Sequence, residues 1–154
     1  MIPRVSGEVT AERRAEFENV VISTTQWAQG TSDVRAVGLA GSWARDDPRV
    51  DSDIDLVVLT DRTDHYVARA AWVSEAAGDN ARVIGTRRWG PLTERRVALP
   101  SGLEIEFGFA PASWADTSAL DPGTATVISD GFRILYDPDG LLDQLVDVVL
   151  RGHQ

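Results

Sequence analysis

At 154 residues, 43% apolar and 25% charged, the chain has the size and composition of one globular domain with a real core. Its net charge of −9 argues against a protein whose main task is gripping nucleic acid, which needs a basic surface, and is compatible with a cationic acceptor. There is no cysteine for disulfides or thiolate chemistry, no apolar run of the roughly 18–20 residues that span a membrane, and no signal-peptide core in "MIPRVSGEVTAERR", so a cytoplasmic location is the expectation.

The chain reads as alternating helices and strands, an α/β (α+β) pattern without repeats or long linkers. Phe17, Val20, Val21, Thr24, Trp27 and Ala28 recur at helical spacing, which predicts an amphipathic helix over about residues 10–29, ended by Gly30. Val34 to Ala40 is a short apolar strand leading into Gly41-Ser42. Ile54 to Leu59 is a second, apolar enough to be buried on both faces. Asp64 is placed to cap a helix running to Gly78, with Val67, Ala70, Ala71 and Val73 or Ser74 turned inward. A β-rich stretch comes next over residues 81–86, 92–99 and 103–109, the last two joined by the turn "PSG". "FRILYDPDGLLDQLVDVVL" reads as a strand, a turn and a closing helix with Leu141, Leu142, Leu145, Val146 and Val149 on one face.

The stretch "GSWARDDPRVDSDIDLVVL", residues 41–59, carries the chemistry. Side chains alternate along a strand, so Asp53 and Asp55 share a face while Ile54 enters the core. Two such carboxylates repel unless a cation lies between them, and hard oxygen ligands suit Mg²⁺ held jointly with substrate phosphates. Gly41 and Ser42 come directly after a strand and can open a helix, offering backbone N–H groups and a hydroxyl to a phosphate that glycine lets approach. Seen alone, a Gly-Ser after a strand is usually a turn, and a D-x-D is often solvated polarity. An EF-hand reading from Asp51 fails, because position six is Leu56 and position twelve is Arg62. A dinucleotide fingerprint fails for want of its third glycine. Glycosyltransferases with a D-x-D metal site normally need a longer chain.

The combination is far more specific than its parts. Ala40-Gly41-Ser42, a ten-residue gap, then Asp53-Ile54-Asp55-Leu56 resembles the signature of the DNA polymerase β-like nucleotidyltransferase superfamily, and the longer run is similar to its antibiotic-modifying and minimal members. The resemblance implies a nucleotidyltransferase domain over residues 1–154, with a mixed sheet of about five strands and helices mainly on one face. It implies a triphosphate grip at Gly41 and Ser42, and puts Arg45 on a triphosphate-contacting or structural position, against the alternative of a surface salt bridge. It also calls for a third carboxylate on a later strand. "SGLEIEFGFAP" supplies Glu106 for the metal-side acid and Glu104 beside it, on the face opposite Leu103, Ile105, Phe107 and Phe109.

The mechanism that this resemblance implies is in-line attack of an acceptor on the α-phosphorus of ATP or another NTP, with pyrophosphate leaving. Two Mg²⁺ ions would bridge Asp53, Asp55 and the phosphates, with Glu106 completing the metal set or accepting the proton and Glu104 a second base. His65 and the terminal His153 are expected at the surface. A counterpart of the helical acceptor-binding domain of larger relatives is not expected after Leu150. The acceptor site is therefore expected in the β-rich half, between the protomers of a homodimer, or on a partner protein. Three readings stand at this point: transfer to a small-molecule acceptor such as an aminoglycoside- or lincosamide-like compound, modification of a partner protein or RNA as in toxin–antitoxin-type relatives, or a non-catalytic nucleotide-binding regulator.

Overall fold

The apolar runs of the sequence become the middle of a mixed sheet. β1 (Val34–Ala40) and β2 (Ile54–Thr60) are each buried on both faces apart from their second residues, Arg35 and Asp55. They pair antiparallel, with Leu39 opposite Leu56 and Ala40 opposite Asp55. The computed structural model describes residues 8–152, so His153 lies outside the described residues. β3 (Arg82–Trp89), β4 (Leu92–Ala98), β5 (Glu104–Ala110) and β6 (Phe132–Tyr136) complete a six-stranded sheet in the order β3-β4-β5-β2-β1-β6. Every pairing is antiparallel except β2 with β5. The strand expected at "FRILY" is β6, on the outer edge of β1, and it brings the sheet to six strands against the five or so expected.

Alternation along these strands separates two apolar clusters. Leu39, Ile54, Leu56, Val58, Ile105, Phe107 and Phe109 face α1 (Ala11–Gln29), α3 (Thr63–Ala68) and α4 (Trp72–Ala77), which contribute Phe17, Val20, Trp27, Tyr66, Trp72 and Val73. The intervening Ala36, Val57, Leu59 and Ala110 face Trp114, α5 (Pro122–Ser129) and α6 (Leu141–Arg151), which contribute Ile128, Leu142, Leu145 and Val149. Helices thus cover both faces, adding a second layer to the expected one. α5 has no counterpart among the expected elements. Its cap is Asp121, whose carboxylate accepts the Gly123 N–H at 2.7 Å ahead of a proline suited to the first turn.

The helix expected from Asp64 to Gly78 is two short helices. Asp64 sits inside the first turn of α3, and Arg62 at the cap makes no side-chain capping bond. The break comes from two buried donors. Arg95 of β4 donates through Nη1 to the carbonyls of Tyr66 and Arg69, and Trp72 Nε1 donates to the same two. Carbonyls satisfied from outside need no further helical turn, and Arg69 is extended. Tyr66, Trp72 and Ala76 are therefore buried, while Ala70, Ala71 and Ser74 are exposed. A single helical period cannot be carried across such a break.

The one-turn α2 (Gly41–Ala44) is fixed by Trp43, which is 3% exposed and stacks on Phe17 of α1 with ring centroids 4.2 Å apart. Trp43→Ala is expected to cost about 3–5 kcal/mol, as truncation of a buried aromatic does, and to loosen the Gly41-Ser42 turn. Urea unfolding monitored by circular dichroism measures the loss.

Candidate active site

Chain direction, glycine geometry and strand register build the site. β1 ends at Ala40, and Gly41 turns the chain into α2 with φ +74°, a left-handed conformation in which side chains are strained. A Cβ added to Gly41 would lie 2.4 Å from Asp55 Oδ2, so the turn can pass the carboxylate only as glycine. The Ser42 carbonyl accepts the Asp47 N–H at 2.9 Å, while the Ser42 hydroxyl makes no hydrogen bond among the described residues. Arg45 is exposed and forms no ion pair among the described residues. Its Nη1 donates to the Asp130 carbonyl at 3.0 Å, and its stem crosses Gly131 where a Cβ would meet Arg45 Cγ at 2.3 Å. Among the described residues the surface salt bridge expected as its alternative role does not form.

The parallel pairing of β2 and β5 sets Asp55 beside Glu106. Asp53 precedes β2 and Glu104 opens β5, two residues away on the same face. All four acids therefore come together at one end of two neighbouring strands. The sequence left out what lies among them. Arg96 of β4 is the register partner of Glu106, and its guanidinium donates to Asp53 Oδ2 at 2.8 Å, to Glu104 Oε1 at 2.7 Å and to Glu106 Oε1. Glu94, on the same face, has Oε1 3.9 Å from Arg96 Nη2. The signal for both was countable, because a hairpin closing at Pro100-Ser101-Gly102 pairs residue 96 with 106.

Packing like charges into half-buried space raises their proton affinity. Burial is the main cause for Glu106, followed by the hydrogen bond and charge of Asp55, and together they push its pKa up to about 7. Asp55 is also raised, first by burial, with the charges of Asp53 and Glu94 adding to it. Glu94 is raised by burial and then by the Glu106 charge. Among the described residues no three acids stand as a ready-made metal cage.

A cavity of about 440 Å³ opens over this face, lined by Gly41, Arg45, Asp55, Glu106, Glu94 and Trp89 among others. Gly41 and Arg45 lie at its β1 end. Trp89 lies at the far end, 55% exposed at the tip of β3, with the Arg87 guanidinium 5.2 Å above its ring. His65, expected at the surface, is half-buried in α3 with its ring 5.0 Å from that of Tyr66, away from this cavity.

A glycine turn ends one strand, an acid pair heads the next, and a parallel third strand carries more acids, the arrangement expected from the sequence resemblance. The family model described as the nucleotidyltransferase domain matches residues 25–94, a stretch that includes Gly41, Ser42, Asp53 and Asp55 and ends before β5. That match covers a little under half of the chain and makes residues 25–94 similar to this domain. Among solved structures it is similar to the Cid1 poly(U) polymerase with Mg and 3′-dATP bound, at 14% identity and a TM-score of 0.50, covering 80% of this chain and 42% of that one. It is also similar to the polymerase core of TRAMP, an RNA surveillance complex, at 21% identity and a TM-score of 0.48, covering 78% and 41%. A cytoplasmic RNA terminal U-transferase is a further neighbour, at 14% identity and a TM-score of 0.49, covering 80% and 41%. The chain spans about a third to two-fifths of the length of the structures it matches. No curated protein matches it. Among the described residues no helix is long and apolar enough to cross a membrane.

Glu106 gives the site a pH signature. Its folded pKa lies above the ordinary carboxylate value of 4.5, so its contribution favours the folded state below that value and is lost as pH rises through about 7. Without divalent cations, the melting temperature of wild type relative to Glu106→Gln should fall between about pH 4.5 and 7. Paired thermal melts across that range measure the difference, and parallel curves would remove the buried-pair assignment.

Proposed function

We propose that the protein transfers a nucleotidyl group from ATP or another NTP to an acceptor hydroxyl, releasing pyrophosphate. The observation that supports this most directly is that Gly41 and the Asp55–Glu106 pair share one cavity. The acceptor oxygen bonds to the α-phosphorus as the bond to the pyrophosphate oxygen breaks, and a carboxylate takes the hydroxyl proton. Gly41 and Ser42 hold the triphosphate through backbone N–H groups and the uncommitted hydroxyl, with Arg45 beside them. Glu106, with Glu104 next to it, is the proton acceptor.

The donor set fits hard divalent cations such as Mg²⁺. Gly41 leaves free the space against Asp55 Oδ2 that a Cβ would fill, and the register sets Glu106 beside Asp55, two hard oxygen donors that a cation would bridge. Asp53, Asp55 and Glu106 are the residues that would hold the ions. When bound, such ions neutralise charge on the attacking and leaving oxygens.

With the phosphate grip at the β1 end, an in-line attack brings the acceptor from the β4–β3 side. A chain of net charge −9 with Glu94, Glu104 and Asp53 on that approach suits a small cationic, hydroxyl-bearing acceptor such as an aminoglycoside-like compound. A second reading has its own observation. Trp89 under the Arg87 guanidinium offers a flat, positively edged shelf at the cavity mouth, which suits a nucleobase-bearing acceptor such as the end of an RNA strand.

Incubation with Mg²⁺ and each α-labelled NTP, against a panel of aminoglycosides and short single-stranded RNAs, tests both. Label should pass to one acceptor class, and Asp55→Asn should abolish transfer while the fold stays intact. Undiminished transfer by Asp55→Asn would remove the acid pair from the chemistry. Trp89→Ala should weaken acceptor use only if the RNA reading holds.

The grip has a separate measurement in calorimetric NTP affinity. Gly41→Val should eliminate binding by steric exclusion. Ser42→Ala should weaken it roughly ten- to a hundred-fold, the worth of one hydrogen bond to a charged group. Unchanged affinity in both variants would reduce the turn to a structural one.

A further inference from the structure

The guanidinium of Arg96 stands among the carboxylates that the nucleotidyltransfer reading assigns to divalent ions. It donates to Asp53 and Glu104 at 2.8 and 2.7 Å and to Glu106, with the Glu94 carboxylate 3.9 Å away. The Arg96 side chain is only 33% exposed. An arginine is a planar, permanently charged fork that cannot lose its charge to make way. A Mg²⁺ ion draws its oxygens to roughly 2.0–2.1 Å in an octahedron, which a guanidinium bonded to the same oxygens blocks by position and by charge.

We infer that Arg96 is the resident counter-ion of the metal-free site and competes with the divalent cation, so that loading the metal requires the guanidinium to release Asp53 and Glu106. This rests on the nucleotidyltransfer reading above and adds to it an order of events. In the metal-free protein Arg96 holds the acids of two separate chain segments at one end of the sheet, offsetting their repulsion. A metal ion arriving alone must displace a cation already bonded to its ligands. An NTP changes that balance, because its phosphates supply further metal ligands and give the released guanidinium a new anion to face. Metal and nucleotide then bind with positive coupling, and neither is held well alone. Arg96 is a positioning residue here. It touches the acids and acts through them.

The experiment uses the full chain and reads metal binding, with Mn²⁺ as the probe and calorimetry in the absence of nucleotide. Arg96→Gln should bind Mn²⁺ at least about tenfold more tightly than wild type, and Arg96→Lys, which keeps a cation, should fall between them. Arg96→Gln should also melt lower in chelator and gain more from added Mn²⁺, while the coupling between Mn²⁺ and NTP should shrink. Should Arg96→Gln fail to fold, nitrogen-15 NMR of the arginine side chains in wild type reads the same event. The Arg96 Nε signal should move when Mg²⁺ and an α,β-methylene NTP are added together, and a stationary signal would overturn the inference. If wild type binds Mn²⁺ with NTP but Arg96→Gln gains nothing without it, Arg96 is a fixed strut and the inference alone falls. If no variant binds Mn²⁺ with or without NTP, the nucleotidyltransfer reading falls and takes the inference with it.

Discussion

The site depends on a parallel pairing between two strands whose partner residues are 51 apart in sequence. β2 and β5 lie side by side in the register that sets Ile54 against Ile105 and Asp55 against Glu106. A slip of one residue would turn Ile54, Leu56 and Val58 out of the aromatic cluster and send the acids into it. The core therefore fixes the acids through alternation. Burying Ile105, Phe107 and Phe109 on one face obliges Glu104 and Glu106 to emerge on the other, where Asp53 and Asp55 already stand.

The same alternation explains two neighbouring arginines with opposite fates. Arg95 points into the aromatic face, is 8% exposed, and its charge is disfavoured by burial. It is held by the carbonyls of Tyr66 and Arg69, and so ends α3 where the helix would otherwise have continued. Arg96 points the other way into the acids, and its charge is reinforced by Glu104, Asp53 and Glu106. One supports the fold and the other answers the charge of the site. A sequence without lysine uses arginine for both, and only the second can matter to a metal.

Local pattern makes much of the architecture legible. The helix from about residue 10 to 29, both central strands and the closing helix all appear with nearly the expected bounds, because each is long or strongly periodic enough to declare itself. The stretch between Asp64 and Gly78 reads as one helix because its break is imposed by Arg95 from a distant strand. α5 escapes a reading of pattern because eight residues with two threonines, a glycine and a serine carry little helical signal of their own. Arg45 takes a carbonyl on the loop before β6, a contact across 85 residues that no local rule contains.

The sequence by itself determined the chemistry available: a glycine that must precede an acid, two acids one residue apart, and two more on a later strand. These are properties of residue type and spacing, and they suffice for the family resemblance. Tertiary structure decided which acids meet, that burial and Asp55 raise the proton affinity of Glu106, and that a cation of the chain's own stands among them. Periodicity tells each strand which face to bury, but it carries no information about which strand comes to lie beside it. That choice belongs to the packing of the whole sheet, and the electrostatics of the site are set by it.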